Sequence, residues 1–343
     1  PLQFSVMKED DELEDMCQRE HDWHGQEDQD LQWEEDESWR EWDGPHHSLY
    51  DSTTGKPLDM TKVNAGRKEE LDWMRKMHVW DRVPRDQAVT SGQKFVGTRW
   101  VYVDKGDQVR CRLVAQEFAG SEKREDLYAG TPPLSATRYL LSNTVSRGLP
   151  SRGGPQGLPG YGGNREREHD FLPSRKLMVL DIKRAFLHGQ VTRTIYVQLP
   201  EEESEGGRYV GRLVKTLYGT RDAPVAWQRV VKSDMSRLGF TECLRTTGVY
   251  FHRDRDLRVV THVDDFLVAG EYPHLKWLRG ELEKTYELKV QLAGWQSGDH
   301  RELSFLGRTI RLLPSGIELE GDDKHVKGLI EEWKMQDCCS VST

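Results

Sequence analysis

Three aspartates at the ends of apolar segments carry the clearest chemical signal in this sequence. Asp264 and Asp265 stand between two short apolar runs, and Asp181 ends the run 177–180. Neighbouring carboxylates repel one another and lose water on burial, so a cation is needed to offset the cost. Three such residues at strand ends are also the oxygen donors that a pair of divalent metal ions requires for phosphoryl or nucleotidyl transfer. The sequence therefore predicts a metal-dependent transferase site.

The elements that must position these aspartates alternate between strands and helices. The aspartate pair is predicted at the tip of a tight hairpin within 259–269. The predicted helices span 59–79, with Asp59 or Thr61 as the cap, 134–145, 223–238 and 276–286. The predicted strands span 95–103, 109–114, 177–181, 195–199, 213–217, 303–310 and 316–319. Strands crossed by helices on one side predict an α+β layer arrangement.

Composition limits the class of protein. The chain has 343 residues, of which 36% are hydrophobic. No apolar run approaches the roughly 18 residues of a membrane span, and no secretory signal opens the chain. Five cysteines without zinc-ligand spacing predict reduced thiols in an intracellular protein. A first residue that is Pro predicts a fragment or a processed piece.

Charge divides the chain unevenly. Residues 1–45 contain 17 acidic and three basic residues, whereas the remainder contains 41 acidic and 46 basic residues. The acidic segment also contains four tryptophans and few aliphatic residues. Two interpretations are open, namely a disordered linker from a longer polyprotein and a motif that docks a partner. The mildly basic remainder suits a polyanionic partner.

A second segment without periodicity interrupts the chain before Asp181. Residues 147–175 are rich in Gly, Pro and Arg. Such composition predicts a flexible loop, and its length is unusual inside a domain. We interpret it as an insertion between two parts of one fold.

Several motifs, taken in order, resemble those of the reverse transcriptase of copia-type LTR retrotransposons. The matching stretches are Arg99-Trp100-Val101, Cys111-Arg112-Leu113-Val114-Ala115-Gln116-Glu117-Phe118, Leu180-Asp181-Ile182-Lys183-Arg184-Ala185-Phe186-Leu187-His188-Gly189, Ile195-Tyr196-Val197 with Leu199-Pro200, Leu217-Tyr218-Gly219-Thr220-Arg221-Asp222-Ala223-Pro224-Val225-Ala226-Trp227, His262-Val263-Asp264-Asp265 and Phe305-Leu306-Gly307. The resemblance covers roughly residues 58–335, and motifs in register are far more specific than any one of them.

The resemblance implies a right-hand polymerase, with fingers and a mixed or antiparallel palm sheet backed by helices. We predict an acidic linker at 1–45, fingers at 46–146, an insertion loop at 147–176 and a palm at 177–275. The end of the palm and a partial thumb follow at 276–343. The implied activity is RNA-directed DNA synthesis, in which a primer 3′-hydroxyl attacks the α-phosphate of a dNTP.

The resemblance also implies the metal ligands. They are the carboxylates of Asp181, Asp264 and Asp265 and the backbone carbonyl of Ile182, which together would hold two Mg²⁺ ions, with Mn²⁺ as a substitute. The implied partners are an RNA or DNA template with its primer, and a dNTP. The implied location is the cytoplasm, a virus-like particle or the nucleus, and the oligomeric state stays open.

Four further residues are implied in nucleotide binding. Arg112 would contact the phosphates, because a planar guanidinium suits paired oxygens. Tyr218 and Gly219 would lie near the sugar and the templating pair. Phe186 would reject a ribose 2′-hydroxyl, and its alternative interpretation is an ordinary core phenylalanine.

Departures from the family pattern leave two rival interpretations open. His262 stands where the family has Tyr, Cys111 makes the finger motif less basic, and Asp222 is an unexpected acid. One rival is a decayed copy that binds nucleic acid without turnover. The other is a nuclease or integrase with three acids, but such sites usually include a Glu on a helix, which the aspartate pair does not match. His262 itself would tune a metal ligand or the primer end, or be an ordinary core histidine.

Overall fold

A six-stranded antiparallel sheet lies at the centre of the fold. A computed structural model of the chain describes residues 49–93, 95–117, 129–148, 175–321 and 323–334. The helices within these ranges are α1 (Met60–Met77), α2 (Arg85–Thr90), α3 (Leu134–Gly148), α4 (Glu201–Ser204), α5 (Ala223–Arg237), α6 (Tyr272–Glu283) and α7 (Asp323–Glu332). The strands are β1 (Trp80–Pro84), β2 (Phe95–Val96), β3 (Thr98–Asp104), β4 (Val109–Ala115), β5 (Arg175–Ile182), β6 (Tyr196–Gln198), β7 (Tyr209–Leu213), β8 (Thr241–Glu242), β9 (Val249–His252), β10 (Leu257–His262), β11 (Asp265–Glu271), β12 (Leu288–Ala293), β13 (Glu302–Phe305), β14 (Arg308–Leu313) and β15 (Gly316–Leu319).

The central sheet has the strand order β12-β5-β11-β10-β9-β8, and every neighbouring pair is antiparallel. Alternate side chains of β5 point to opposite faces. Leu177 and Val179 pack against α3 and the three-stranded sheet of β13, β14 and β15. Met178 and Leu180 pack against α5 and α6. Because both faces are covered, residues 177–180 of β5 form a continuous apolar run directly before Asp181.

A second layer is formed by the sheet β1-β7-β6-β2, the β3–β4 hairpin and α1. In this sheet β2 and β6 run parallel, whereas the other neighbours are antiparallel. The carboxylate of Asp59 caps α1 by accepting hydrogen bonds from the backbone N–H groups of Thr61 and Lys62. Leu71 and Met74 of α1 are buried in the same apolar cluster as Leu113 of β4. The predicted α+β class, the Asp59 cap and the helical apolar stripe are confirmed.

Four predicted elements differ from the observed ones. The strand predicted at 95–103 is two strands, because β2 pairs with β6 whereas β3 pairs with β4. The predicted strand at 213–217 is wrong, because β7 ends at Leu213 and the N–H groups of Val214 and Lys215 both donate to the Val79 carbonyl. The strand predicted at 303–310 is two strands, since Leu306 and Gly307 have positive φ and form a hairpin turn. The helix predicted at 276–286 is α6, which begins earlier because Pro273 is favourable in a first helical turn.

The predicted loop before Asp181 is shorter at both ends. Helix α3 continues to Gly148, and β5 begins at Arg175, so 147–148 and 175–176 belong to regular elements. The rest of that loop and residues 1–45 lie outside the described residues. Within the described ranges, no helix has the length and apolar character needed to cross a membrane.

Candidate active site

Four side chains form a row across one end of the central sheet. His262 of β10 is paired with Asp265 of β11, Asp265 with Asp181 of β5, and Asp181 with Lys289 of β12. Directly paired residues point to the same face of a sheet, with Cβ atoms about 5 Å apart. Register alone therefore brings Asp181 and Asp265 together, although 84 positions separate them in the sequence.

The third aspartate lies in the turn of the hairpin. Val263 and Asp264 join β10 to β11, and Val263 has a φ of 55°. A β-branched residue in the left-handed region is strained. The turn is held from two sides, since the Asp264 carbonyl accepts from the Ile182 N–H at 3.0 Å and the Val263 carbonyl accepts from Trp227 Nε1 at 2.7 Å. Helix α5 and strand β5 thus fix the position of Asp264.

Burial and mutual repulsion make ionisation of the hairpin aspartates unfavourable. Burial raises the pKa of Asp264, and the charge of Asp181 raises it further. Burial, followed by the charges of Asp264 and Asp181, raises the pKa of Asp265 to about 6. The nearby cations Arg110 and Lys289 act against these shifts, on Asp264 and Asp265 respectively. The site therefore has more negative than positive charge at its centre.

The donor set fits a divalent cation, but the side chains are not arranged around one. Carboxylate oxygens are the ligands that Mg²⁺ and Mn²⁺ favour, and a cation would relieve the repulsion between Asp181, Asp264 and Asp265. Among the described residues, however, no three His, Cys, Asp or Glu side chains are grouped so that they could hold a metal ion. The backbone register already places Asp181 opposite Asp265. The two carboxylates could therefore share an ion after rotation of their side chains, without a shift of the strands.

A cleft of about 380 Å³ opens beside the aspartates, between α1, β4 and the end of the central sheet. Of the residues predicted to act, Asp181, Ile182, Asp264, Arg112 and Tyr218 line it. Basic residues on its walls are Lys105, Arg110, Lys183, Arg184 and Lys289. Asp265, Phe186 and Gly219 are not among the lining residues. Including Arg112, six basic residues line the cleft, against four acids, two of which are Glu69 and Glu70 of α1. The excess of cations suits a polyanion.

Phe186 and Gly219 lie behind the wall of this cleft. The Phe186 ring meets the Tyr218 ring edge-on with centroids 5.7 Å apart, so it reaches the cleft through Tyr218. Gly219 has a φ of 80°, and a Cβ added there would lie 2.0 Å from the Ala115 carbonyl oxygen. The Ala115 N–H donates to the Tyr218 carbonyl at 2.7 Å. The absence of a side chain at Gly219 therefore permits the close approach of β4.

Arg112 is held by an acid that sequence reasoning did not single out. Its Nη1 donates to Glu70 Oε2 at 2.8 Å, and its guanidinium lies 5.4 Å from the Tyr218 ring centroid. Glu70 is only 1% exposed and also lines the cleft. A signal was present, because Glu70 follows Val63 by seven positions and so lies on the buried stripe of α1.

Two basic residues of the cleft were also missed. Arg110 is two positions before Arg112 on β4, and alternate strand residues share a face. Lys289 stands opposite Asp181 on β12, a strand that was not predicted. Strand alternation alone would have indicated Arg110, whereas Lys289 required the observed register.

The residues that depart from the family pattern occupy distinct places. His262 is half-buried in the row with Asp265 and Asp181. Asp222 is buried behind α5, with its carboxylate 3.5 Å from Arg193 Nε. Arg193 also donates to Glu117 at 2.6 Å. The unexpected acid in the second motif is therefore offset by a neighbouring arginine.

A larger groove of about 560 Å³ lies elsewhere, between α3 and strands β8, β9 and β10. Its lining is almost entirely apolar, and it contains none of the aspartates of the row. The chemistry is therefore expected in the smaller, polar cleft.

Comparison with known proteins gives matches of one kind. Residues 173–343 match the family described as reverse transcriptase (RNA-dependent DNA polymerase). The chain is 27% identical over 301 residues to the retrovirus-related Pol polyprotein from transposon RE1 of Arabidopsis thaliana, a match that covers 80% of this chain and 18% of that protein. It is 28% identical over 301 residues to the Pol polyprotein from transposon TNT 1-94 of Nicotiana tabacum, covering 83% and 20%. The chain thus spans about a fifth of these relatives.

Among solved structures, telomerase from Candida albicans in complex with a fragment of telomeric RNA aligns with 85% of this chain and 58% of its own, at a TM-score of 0.44 and 10% identity. A TM-score of this size does not identify a fold, so the fold is assigned from the chain's own sheet topology.

Proposed function

Because the chain belongs to the reverse transcriptase family of copia-type retrotransposons, we propose that it forms the fingers and palm of an RNA-directed DNA polymerase. The reaction is transfer of a nucleotide from a dNTP to a primer 3′-hydroxyl on an RNA template, then on DNA. One observation supports the proposal, namely that Asp181 is paired with Asp265 at the end of the central sheet, with Asp264 in the adjoining turn and a cleft with basic residues beside them.

In this assignment the central sheet with α3, α5 and α6 is the palm. The β3–β4 hairpin, α1 and the sheet β1-β7-β6-β2 are the fingers. The sheet β13-β14-β15 ends the palm, and α7 begins a partial thumb. We assign residues 196–213 to the fingers because β6 pairs with β2 and β7 pairs with β1.

The proposed metal ligands are Asp181, Asp264 and Asp265, with the Ile182 carbonyl as a backbone donor. Two Mg²⁺ ions bound there, or Mn²⁺ in their place, would lower the pKa of the primer hydroxyl and offset charge on the phosphates. The strained turn at Val263, held by Trp227 and β5, keeps Asp264 at the mouth of the cleft.

The basic residues that line the cleft are proposed to bind the nucleotide. Arg112 would contact the triphosphate, while Tyr218 would support the sugar and the templating pair. Phe186 would limit space at the sugar 2′ position by buttressing the Tyr218 ring, and Gly219 would permit the close contact of fingers and palm. Lys289 and Arg110 add positive charge that attracts the dNTP.

The proposed partners are a primer-template and a dNTP, and the relatives' description as retrotransposon polyproteins supports action inside the cell. Contacts to the template are proposed to be mostly electrostatic, because the chain after residue 45 is mildly basic. Binding should therefore weaken as salt concentration rises.

The test is primer extension on poly(rA)/oligo(dT) with Mg²⁺ and with Mn²⁺, paired with filter binding. Asp264→Asn keeps the shape of the side chain and removes a charge that the metal requires. We expect synthesis to fall roughly a thousandfold or more while primer-template binding is retained. The matched control is Asp254→Asn, an exposed residue in the turn at the other end of β10, which should behave as the wild type.

Two results would contradict the proposal. A wild-type protein that binds primer-template but extends it with neither metal would establish the decayed-copy interpretation. An Asp264→Asn variant that extends normally would remove the metal site from this hairpin.

A further inference from the structure

A buried acid in a cleft proposed for a triphosphate requires an explanation. Glu70 lies on the wall formed by α1, with its side chain 1% exposed. A carboxylate would repel the phosphates, and burying it without partners would cost several kcal/mol. The groups that bind Glu70 must therefore explain why this acid is buried in the cleft.

Glu70 binds two arginines from different parts of the fold. Its Oε2 accepts from Arg112 Nη1 of β4 at 2.8 Å and from Arg184 Nε at 3.3 Å. The two guanidinium groups offset the charge of the buried carboxylate, and Arg184 also pairs with Glu69. Neither Glu70 Oε1 nor Arg112 Nε has a hydrogen-bond partner, although both atoms are buried.

Arg184 extends the link to the catalytic end of the sheet. It follows Asp181 by three positions and has a φ of 56°, which is costly for a residue with a side chain. Its guanidinium lies 4.6 Å from the Trp73 ring centroid and donates to Glu69 at 2.9 Å. Both Trp73 and Glu69 belong to α1, so that helix holds the turn after Asp181 as well as Arg112.

We propose that Glu70 is a positioning residue for nucleotide binding, which fixes the guanidinium of Arg112 in the cleft before the triphosphate arrives. This inference rests on the proposed function. An arginine side chain loses rotamer entropy when it is immobilised. Ordering Arg112 against Glu70 in the free protein removes most of that loss from the binding step.

The carboxylate uses only part of the donor capacity of Arg112. A guanidinium has five N–H donors, and in Arg112 the Nη1 group donates to Glu70 at 2.8 Å and to the Cys111 carbonyl at 3.3 Å. The Tyr218 ring, 5.4 Å from the guanidinium carbon, restricts its plane. Among the described residues Nη2 makes no hydrogen bond, so its donors remain for phosphate oxygens. Glu70 itself does not need to touch the nucleotide.

The experiment compares steady-state primer extension for wild type, Glu70→Gln, Arg112→Met and the double variant. We expect Glu70→Gln to raise the dNTP KM roughly tenfold, with a smaller effect on kcat. The substitution weakens the contact of Arg112 with the triphosphate, and this contact contributes to binding of the dNTP more than to the chemical step. The double variant should show the KM of Arg112→Met with no further rise. Restoring the charge with Glu70→Asp should recover part of the loss.

The matched control is Glu203→Gln. Glu203 is another buried acid that pairs with α1, through Arg75 Nε at 2.8 Å, but it lies outside the cleft. Its substitution should leave the dNTP KM unchanged. Primer-template binding and the melting temperature are measured for every variant.

Each outcome decides the question. An unchanged KM in Glu70→Gln, or additive effects in the double variant, would overturn the inference while leaving the polymerase proposal intact. A Glu70→Gln protein that no longer folds or binds primer-template would also overturn it, since Glu70 would then serve the fold alone. An inactive wild type would instead remove the proposed function itself.

Discussion

The functional side chains on the two walls of the cleft are held in place by different forces. The wall with the aspartates is the end of a sheet that is packed on both faces, and β5 is buried from Arg175 to Leu180. The opposite wall consists of β4, in which buried and more exposed residues alternate, and α1. Its Arg112 is held by an ion pair with Glu70. Apolar packing positions the backbone of both walls, since Leu71 of α1 is buried with Leu113 of β4, but on the second wall an ion pair fixes the functional side chain.

This difference separates two tasks. Packing and register fix backbone positions, and salt or a ligand changes them little. Ion pairs fix the ends of long side chains, and they respond to salt and to an arriving anion. The backbone that carries the aspartates is therefore set before any ligand binds, whereas the position of the Arg112 side chain depends on its ion pair with Glu70. Breaking each kind of contact in turn tests that distinction.

The largest effect is expected from a cavity beneath the aspartates. Leu180 is fully buried and directly precedes Asp181. Leu180→Ala should lower the free energy of unfolding by about 2–5 kcal/mol, measured by urea denaturation, because the packed sheet cannot close the cavity. Leu244→Ala, at a fully exposed position, should change it by less than about 0.5 kcal/mol. Equal effects at both positions would mean that the central sheet is not the stabilising core.

A smaller effect is expected from the hydrogen bond that holds the strained turn. Trp227→Phe keeps an aromatic ring and removes the donor to the Val263 carbonyl. We expect a loss of about 1–3 kcal/mol in stability and a fall in kcat, since Asp264 becomes less well positioned. Trp277→Phe is the control, because that indole lies in α6 and stacks on Phe240, which precedes β8. An unaltered kcat in Trp227→Phe would show that the hairpin holds its shape unaided.

The wall that carries the aspartates was largely predictable from the sequence, whereas the ion pairs of the wall formed by β4 and α1 were not. The apolar run before Asp181 and the aspartate pair between apolar runs carry their own signal of buried strands and a hairpin. Even there, the pairing of Asp181 with Asp265 and Lys289 needed the register, which depends on contacts far apart in the chain. The error at 213–217 has the same origin, because the partner strand β1 determines where β7 ends.

Ion pairs leave a weaker trace in the sequence. Nothing near Arg112 indicates that its partner is Glu70, 42 positions earlier. The position of a Glu on the buried stripe of α1 indicates that this side chain is buried, but it does not identify the cation that pairs with it. The close approach at Gly219 was likewise unseen, because only the folded chain brings the Ala115 carbonyl against it. Long-range polar contacts are therefore what the structure adds to this site.

Phe186 links the two walls of the cleft, because it lies in the short 3-10 helix after β5 and its ring contacts Tyr218. Phe186→Ala should raise the use of rNTPs relative to dNTPs about tenfold, because the buttress behind Tyr218 is lost and the sugar gains room. Competition between labelled rNTP and dNTP in primer extension measures the ratio. Phe251→Ala, at an exposed position on β9, serves as the control. Unchanged discrimination in an active Phe186→Ala enzyme would make Phe186 an ordinary core residue.

The smallest effect is expected from a single charge on the wall that carries the aspartates. Burial and its neighbours raise the pKa of Asp265 from 3.8 to about 6. Between these values the folded protein holds a proton that the unfolded chain has released, so stability should fall as pH rises through this window. Asp265 is partly exposed, and solvent limits the change to a few degrees in melting temperature.

Asp265→Asn removes this titration. In metal-free buffer the variant should melt above the wild type when the pH exceeds about 6, and the two should converge below the unfolded value of 3.8. Mg²⁺ added at neutral pH should raise the melting temperature of the wild type and leave the variant nearly unchanged, because a bound cation stabilises only the form that can hold it. Thermal melts across this pH range, with Asp254→Asn as the control, provide the measurement. Parallel pH profiles for wild type and Asp265→Asn would show that repulsion among the aspartates does not act on the folded state.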